Sequence, residues 1–170
     1  MAHAKTILVA AGGTGGHLFP ASALAAALAT RGFIVDLATD DRALKFGADF
    51  PARAVHALPS ATPTSGGLMG KAAAAFTLGR GGLAAIGLLR RLKPAAVVGF
   101  GGYPTVPPLA AAAFLKIPTI IHEGNAVIGR ANTFLAPRAT RIASGFPTLG
   151  GLAEAYRAKL TTTGLSLIHI

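Results

Sequence analysis

A glycine-rich stretch near the amino terminus carries the residues best suited to chemistry. Residues 9–20 read VAAGGTGGHLFP, so four glycines, a threonine and His17 follow directly on an apolar run. A glycine turn between a strand and a helix directs backbone N–H groups and the positive end of the helix dipole at one point, which suits a phosphate or another anion. His17 has two open interpretations: it caps or bridges the first helix, or it contacts ligand and acts in catalysis, because histidine titrates near neutral pH.

The common nucleotide fingerprints do not fit this stretch. Counted from Gly13 the sixth place is Leu18, counted from Gly12 the third place is Thr14, and no Gly-Lys-Ser or Gly-Lys-Thr occurs. The loop therefore favours an anion or a pyrophosphate without identifying one. A dinucleotide-binding oxidoreductase stays an alternative through Asp36, twenty residues after Gly16, although Asp36 lies inside its predicted strand.

Two further loops carry polar residues. Residues 99–108 read GFGGYPTVPP, and residues 122–132 read HEGNAVIGRAN, which places His122, Glu123 and Asn125 together. For His122 and Glu123 we favour a pair that ties neighbouring loops together over an acid/base pair, and we interpret Asn125 as a turn residue. The remaining histidines have no partner pattern, so we predict no metal site.

Apolar runs separated by helical stretches predict the elements that position these loops. Strands are expected at 6–11, 33–39, 54–58, 95–100 and 119–122, with a helix at 21–30, a helical turn at 42–46 and a strand leading to a turn at 161–164. This pattern is typical of a doubly wound α/β domain with a parallel sheet. In such a sheet the loops after the strands emerge at the carboxyl edge, so we expect the three loops to meet in one crevice.

Composition limits the possible partners. The chain has 170 residues, 52% of them hydrophobic, which suits one domain with a sizeable core, and it has no cysteine. All of the net charge of +10 arises from residue 51 onward, which favours an anionic partner. Nucleic acid is the weakest candidate because aromatics are sparse. We expect no signal peptide and a cytoplasmic location, and glycines and prolines argue against a membrane span in the uncharged stretch 94–115.

Residues 68–93 form a long helix-like segment with five glycines and no acidic residue. One interpretation is a pair of surface helices that covers the sheet. The other is a membrane-surface patch, in which apolar side chains enter the headgroup region and cations meet anionic lipid. The residues of this candidate patch are Leu68, Met69, Lys71, Phe76, Arg80, Leu83, Ile86, Arg90 and Arg91.

Three segments together resemble the MurG family of bacterial glycosyltransferases: GGTGGHLFPA at 12–21, KPAAVVGFGGYPTVPPLAAA at 93–112 and HEGNAVIGRAN at 122–132. The resemblance implies the amino-terminal, Rossmann-like half of a GT-B enzyme, without a required metal or cofactor. It implies UDP-N-acetylglucosamine as donor and undecaprenyl-pyrophosphoryl-N-acetylmuramoyl-pentapeptide as acceptor, for peptidoglycan synthesis. It also implies a peripheral location on the cytoplasmic face of the inner membrane, and favours the membrane patch.

The resemblance also implies roles for single residues. His17 matches a histidine proposed as the base or as the group that positions the acceptor hydroxyl, and Glu123 is our second catalytic candidate. The implied donor contacts are Thr14, Gly15, Gly16 and Asn125. The implied loops for the acceptor pyrophosphate contain Gly12, Gly13, Gly101, Gly102, Tyr103 and His122.

This sequence departs from the family at two places. Gly124 stands where the family usually has glutamine, and residues 165–170 read LSLIHI where the family continues with Asn-Pro-Val-Arg and a second domain. We therefore expect residues 1–164 to be the acceptor and membrane-binding domain and 165–170 to be an anomalous tail. With the carboxyl-terminal donor domain absent, the chain alone is expected to be inactive or nearly so. The alternative is a non-catalytic module that binds lipid pyrophosphate or an anionic membrane.

Overall fold

A parallel sheet of seven strands organises the protein. The computed structural model describes residues 4–12, 15–41, 49–62 and 67–164. The strands run in the order β3-β2-β1-β4-β5-β6-β7, and every pair is parallel. They are β1 (Thr6–Ala10), β2 (Ile34–Thr39), β3 (Ala54–Ala57), β4 (Ala96–Gly99), β5 (Thr119–Glu123), β6 (Arg141–Ser144) and β7 (Leu160–Thr162).

Helices cover both faces of this sheet, which confirms the doubly wound α/β class. They are α1 (Gly15–Ala29), α2 (Gly67–Leu92), α3 (Val106–Phe114) and α4 (Arg130–Leu135), with 3-10 turns at Tyr103–Thr105 and Glu154–Lys159. Strand order reverses direction between β1 and β4, and a crevice is expected at the carboxyl edge of such a switch point.

The alternation of side chains along β1 builds two core layers. Leu8 and Ala10 point to the face covered by α2, α3 and α4, while Ile7, Val9 and Ala11 point to the face covered by α1. Successive strand residues face opposite sides of a sheet, so a strand with helices on both sides is apolar throughout. This explains why the buried strands appear in the sequence as continuous apolar runs.

Helix α1 begins six residues earlier than the sequence predicts. The expected helix started after Pro20, whereas the structure starts it at Gly15 and keeps Pro20 inside it. Leu18, Ala21 and Ala25 form the buried face of the helix, and the turn before the proline places Leu18 in the same core cluster as Ala21 and Ala25. His17 therefore lies in the first turn of a helix and not in the preceding loop.

Helix α2 is one continuous helix, so the expectation of a helix pair is wrong. Its buried residues lie mostly in the second half: Ala74, then Gly81, Ala85, Leu88 and Leu89. Glycine at 81 is required by packing, because an added Cβ would overlap the carbonyl oxygen of Pro59 and lie 3.1 Å from Pro107 Cγ. Helix α2 is long and apolar enough to cross a membrane, with a mean hydropathy of 1.5. In this structure it packs against α3 and the core cluster and so covers one face of the sheet.

The remaining sequence predictions have mixed outcomes. Residues 94–115 form β4, a 3-10 turn and α3, which confirms the rejection of a membrane span there, and the strand expected near 161 is β7. Helix α4 and strand β6 are not predicted from the sequence. Strand β6 has four residues and begins with the exposed Arg141, so its apolar signal is too short to recognise. The helical turn expected at 42–46 and the tail at 165–170 lie outside the described residues.

Candidate functional site

The three loops meet at the carboxyl edge of the sheet, as the sequence predicts. A Cβ placed on Gly12, directly after β1, would lie 2.9 Å from Pro104 Cβ in the turn after β4 and 3.0 Å from Asp40 Oδ1 after β2. A Cβ placed on Gly101 would lie 3.6 Å from Asn132 Nδ2, in the segment after β5. The loops after β1, β4 and β5 therefore form one contiguous wall around the switch point.

His17 rests on the glycine turn after β4. The point where a Cβ of Gly101 would stand is 3.2 Å from Cε1 and 3.4 Å from Nδ1 of the imidazole. The corresponding point on Gly102 is 3.4 Å from Cδ2 and 3.5 Å from Nε2. Gly101 has φ of 87° and Gly102 has φ of 75°, a region that favours glycine. Glycine is needed here for two reasons: the backbone has positive φ, and a side chain would occupy the space that the His17 ring fills.

The carboxylate of Glu123 holds the loop after β5 in place. Glu123 is 3% exposed at the end of its strand. Its Oε1 accepts hydrogen bonds from the backbone N (3.0 Å) and Nδ2 (2.8 Å) of Asn125. Its Oε2 accepts from the backbone N of Gly129 (2.9 Å) and from Nδ2 of Asn132 (2.9 Å). Each oxygen thus accepts two hydrogen bonds, all from residues 125–132, so these bonds tie the segment that follows β5 to itself and do not join it to a neighbouring loop as the sequence predicts.

Asn132 belongs to the candidate site, although its residue type and spacing did not single it out. It is 2% exposed in α4, and Nδ2 donates to the carbonyl oxygen of His122 at 3.0 Å as well as to Glu123. Its Oδ1 is buried and accepts no hydrogen bond from the described residues. The signal was present in the sequence, since Asn132 ends the motif HEGNAVIGRAN, but the helix that buries its side chain was not recognised.

His122 is a half-buried neighbour of the site. Its ring lies 5.0 Å from the ring of Phe100, at 37° to it. Burial lowers the pKa of His122; the negative charge of Glu123 opposes this effect, and His17 adds to it. A neutral imidazole at pH 7 follows, so His122 forms part of the wall without contributing a positive charge.

The other predicted site residues are distributed around these groups. Gly15 and Gly16 are the first two residues of α1, and the Phe19 ring lies 3.0 Å from the position that a Cβ of Gly15 would take. Asn125 is exposed, and Tyr103 packs against the core cluster under the α2 face. Gly13 and Thr14 lie outside the described residues.

The electrostatics of the site favour an anion. Helix α1 has no acidic residue in its first turn, which leaves the positive end of its dipole without an acid on the helix itself; the buried carboxylate of Asp40 lies beside Gly12 and partly opposes this effect. The nearest acidic side chain of the β5 loop, Glu123, is saturated by four hydrogen-bond donors. Within the described ranges, no group of three or more His, Cys, Asp and Glu residues is placed to hold a metal ion.

Asp36 is engaged in a structural ion pair. It is fully buried within β2, and both of its carboxylate oxygens accept from the guanidinium of Arg53, whose pKa is raised by this contact. His56 Nε2 lies 3.9 Å from Asp36 Oδ1, and burial lowers the pKa of His56. A carboxylate so paired in mid-strand is not available to a ribose at the strand end, which argues against the dinucleotide alternative.

Helix α2 presents an exposed stripe, which we define as Met69, Phe76, Arg80, Leu83 and Arg90. Met69, Phe76 and Leu83 recur every seven residues and therefore share one face, opposite the buried face. They are 86%, 69% and 73% exposed. Of the other residues of the predicted patch, Leu68, Lys71 and Arg91 are exposed as well. Ile86 is the exception, because it is half-buried and packs against the core cluster.

Comparison with known proteins gives this site a family context. Residues 7–144, which contain all three loops, match the family described as "Glycosyltransferase family 28 N-terminal domain". The chain is 55% identical over 158 residues to the UDP-N-acetylglucosamine--N-acetylmuramyl-(pentapeptide) pyrophosphoryl-undecaprenol N-acetylglucosamine transferase of Methylorubrum populi, covering 93% of this chain and 43% of the relative. It is 56% identical over 158 residues to the transferase of the same name from Allorhizobium ampelinum, covering 93% and 42%.

A solved structure agrees with these relatives. The crystal structure of MurG from Acinetobacter baumannii superimposes with a TM-score of 0.79 at 32% sequence identity, covering 94% of this chain and 45% of that one. The chain thus spans less than half the length of each of these three proteins.

Proposed function

Because the chain belongs to the glycosyltransferase family 28 N-terminal domain family, we propose that it is the acceptor-binding half of an inverting N-acetylglucosamine transferase. The donor is UDP-N-acetylglucosamine and the acceptor is the lipid-linked N-acetylmuramoyl-pentapeptide named in its relatives. The observation that carries the proposal is His17, held on the Gly101–Gly102 turn within the residues that match the family. Transfer requires the remaining length that the relatives have, and the chain alone has little or no activity.

His17 is the base in this proposal. The acceptor hydroxyl attacks the anomeric carbon of the donor, the new C–O bond forms, and the bond to the UDP phosphate breaks with its electron pair on the phosphate oxygen. The hydroxyl proton passes to the imidazole, since histidine is the side chain that most often serves as a general base. His17 suits this task because it stands at the switch point, at the start of α1 and against a turn that lacks side chains.

Glu123 acts as a positioning residue in this proposal. A proton-transfer role would need a lone pair free to face the substrate, whereas each oxygen of Glu123 already accepts two hydrogen bonds. The carboxylate fixes the exposed Asn125, one of the donor contacts that the family resemblance implies. It also fixes the first turn of α4, and with it Asn132.

Anionic groups of the substrates are bound by backbone donors. The first turn of α1, with Gly15 and Gly16, and the Gly101–Gly102 turn contribute backbone N–H groups at the site, beside the ring of His17. These groups and the dipole of α1 hold the acceptor pyrophosphate and assist the departure of UDP, so that charge is stabilised without a metal. Thr14, outside the described residues, keeps the donor contact that the resemblance implies.

The stripe on α2 docks the domain on the cytoplasmic face of the inner membrane. Three large apolar side chains exposed together on one helix face have no partner in the core, and Arg80 and Arg90 on the same face meet anionic headgroups. A basic residue near an anionic surface contributes about 1 kcal/mol, which falls as salt screens it. This orientation suits an acceptor that is itself anchored in the membrane.

Transfer is tested with a fusion of residues 1–164 to the remaining part of the Methylorubrum populi relative. The fusion is expected to move labelled N-acetylglucosamine from UDP-N-acetylglucosamine to the lipid acceptor, and residues 1–164 alone are not. The intact relative serves as the positive control. A folded fusion that binds UDP-N-acetylglucosamine but transfers no label, while the intact relative does, would contradict the proposal.

Membrane docking is tested by sedimentation with vesicles that contain anionic lipid. Binding is expected to weaken with added salt, and Phe76→Ser is expected to reduce it about tenfold, because an apolar side chain of this size contributes roughly 1.5–3 kcal/mol when fully buried. Phe134→Ser is the matched control, since Phe134 is an exposed phenylalanine on α4. Equal vesicle binding by the two variants, or binding that does not change with salt, would contradict membrane docking by the stripe on α2.

A further inference from the structure

Asn132 has a buried carbonyl oxygen that its own hydrogen bonds leave unused. Its Nδ2 lies between two acceptors, the carbonyl oxygen of His122 at 3.0 Å and Glu123 Oε2 at 2.9 Å. Only the NH₂ end of an amide can satisfy two acceptors, so the orientation of the amide is determined. Oδ1 must then face away from Glu123, and among the described residues it has no donor. Burying a hydrogen-bond acceptor without a donor costs folding free energy, so such an acceptor is a candidate for a functional contact.

The imidazole of His17 lies against the same glycine turn and can supply a donor. Asn132 Nδ2 and His17 Nδ1 lie within 3.6 Å and 3.4 Å of the same point, the place where Gly101 lacks a Cβ. The other ring edge of His17, with Cδ2 and Nε2, lies beside Gly102, and the carbonyl oxygen of Gly12 is 3.4 Å from the position that a Cβ of Gly102 would take. Of the two ring nitrogens, Nδ1 is the one that shares the Gly101 position with the amide of Asn132.

We propose that Asn132 is a positioning residue whose Oδ1 accepts a hydrogen bond from Nδ1–H of His17 in the working site. This inference rests on the proposed function of His17 as a base. A proton fixed on Nδ1 leaves the lone pair on Nε2, toward the glycine turn, where it can take the hydroxyl proton of the acceptor. The two bonds donated by Nδ2 hold Asn132 rigidly, so the orientation of the base is set by α4 and ultimately by Glu123.

The protonated nitrogen of His17 is measured directly by ¹⁵N–¹H correlation spectra of the histidine rings in the full chain. A His17→Gln variant identifies the signals of His17 by their loss. We expect the neutral ring to carry its proton on Nδ1, and Asn132→Ala to move it to Nε2. Thr133→Ala is the matched control on α4: it removes an exposed hydroxyl that donates to the Gly129 carbonyl oxygen at 3.0 Å, and it is expected to leave the tautomer unchanged.

Two results would overturn the proposal. One is a proton on Nε2 in the unaltered chain, which would indicate donation toward the Gly12 carbonyl. The other is a proton that stays on Nδ1 in Asn132→Ala, which would indicate a different acceptor. If Asn132→Ala lost its dispersed spectrum, Asn132→Ser would take its place, because a serine keeps a donor in the same pocket but is too short to reach His17.

A kinetic measurement separates this role from a merely structural one. In the fusion with the Methylorubrum populi relative, Asn132→Ala is expected to lower kcat while acceptor KM changes little. With His17 already replaced by alanine, the same substitution is expected to have no further effect, whereas a purely structural role would lower the rate again. The spectra need no substrate, so a fusion that fails to transfer would contradict the proposed function and leave the tautomer result standing.

Discussion

Replacing Gly101 by alanine tests how closely the site depends on the fit between His17 and the glycine turn. Gly101 has φ of 87°, and a residue with a Cβ in the left-handed region costs about 1–2 kcal/mol. The new Cβ would lie 3.2 Å from Cε1 and 3.4 Å from Nδ1 of His17, tighter than ordinary contact, so the ring must shift by a few tenths of an ångström. A misplacement of 1 Å can cost about a hundredfold in rate, so we expect a loss on the order of five- to tenfold.

Gly32→Ala provides the matched control. Gly32 has φ of 81°, nearly the same backbone conformation, but an added Cβ there would meet nothing within 4 Å. Both variants are expected to lower the melting temperature by about 2–8 °C, at roughly 2–4 °C for each kcal/mol in a chain of this size. Only Gly101→Ala is expected to slow transfer.

The assay combines thermal unfolding followed by circular dichroism with the transfer rate of the fusion described above. Equal transfer rates for the two variants would refute the reasoning, because they would show that the contact with His17 has no bearing on the reaction. A loss of transfer by Gly32→Ala alone would do so as well.

Three further outcomes follow from individual contacts. Glu123→Gln places an NH₂ group against two N–H donors and is expected to lower the free energy of unfolding, measured in urea, by about 3–5 kcal/mol. The control Glu154→Gln, at an exposed ion pair, is expected to lower it by about 1 kcal/mol or less. Similar losses for the two variants would contradict the bonding described for Glu123. Because burial lowers the pKa of His122, the unfolded chain binds this proton more readily than the folded chain does. The free energy of unfolding is therefore expected to fall as the pH drops below about 6.5. If His122→Gln left this pH dependence of the free energy of unfolding unchanged, His122 would not be its cause. Gly81→Ala is expected to destabilise the chain by more than 1 kcal/mol and Gly82→Ala to stabilise it by about 0.5–1 kcal/mol, and the reverse order of melting temperatures would contradict the packing of α2.

The sequence predicted the sheet well because its central strands are buried on both faces. In a run such as Ile7 to Ala11 both faces of the strand are buried, so no position is polar, and glycines or prolines mark the ends of such runs. The convergence of the three loops followed from the parallel topology alone. Strand β6 was missed for the opposite reason, since its four residues begin with the exposed Arg141 and show no such run.

The site was predicted in outline but not in its contacts. His17 and Glu123 stood out by residue type, yet the contacts of Glu123 did not. Two of its four donors belong to Asn125 in the loop, one is the backbone N of Gly129 before α4, and one is Nδ2 of Asn132 within that short helix. Asn132 is an ordinary residue by type, and its burial at 2% exposure is a property of tertiary packing. Pro20 also misled the prediction of the start of α1, because burial of Leu18 outweighs the local preference of proline.

The central claim is that His17 accepts the proton of the acceptor hydroxyl. It is tested most directly by single-turnover transfer of labelled N-acetylglucosamine in the fusion, with and without His17→Ala, at saturating lipid acceptor. We expect the substitution to slow the transfer step by about 10²–10⁴-fold while binding of the lipid acceptor is retained. An unchanged single-turnover rate in His17→Ala would contradict the claim.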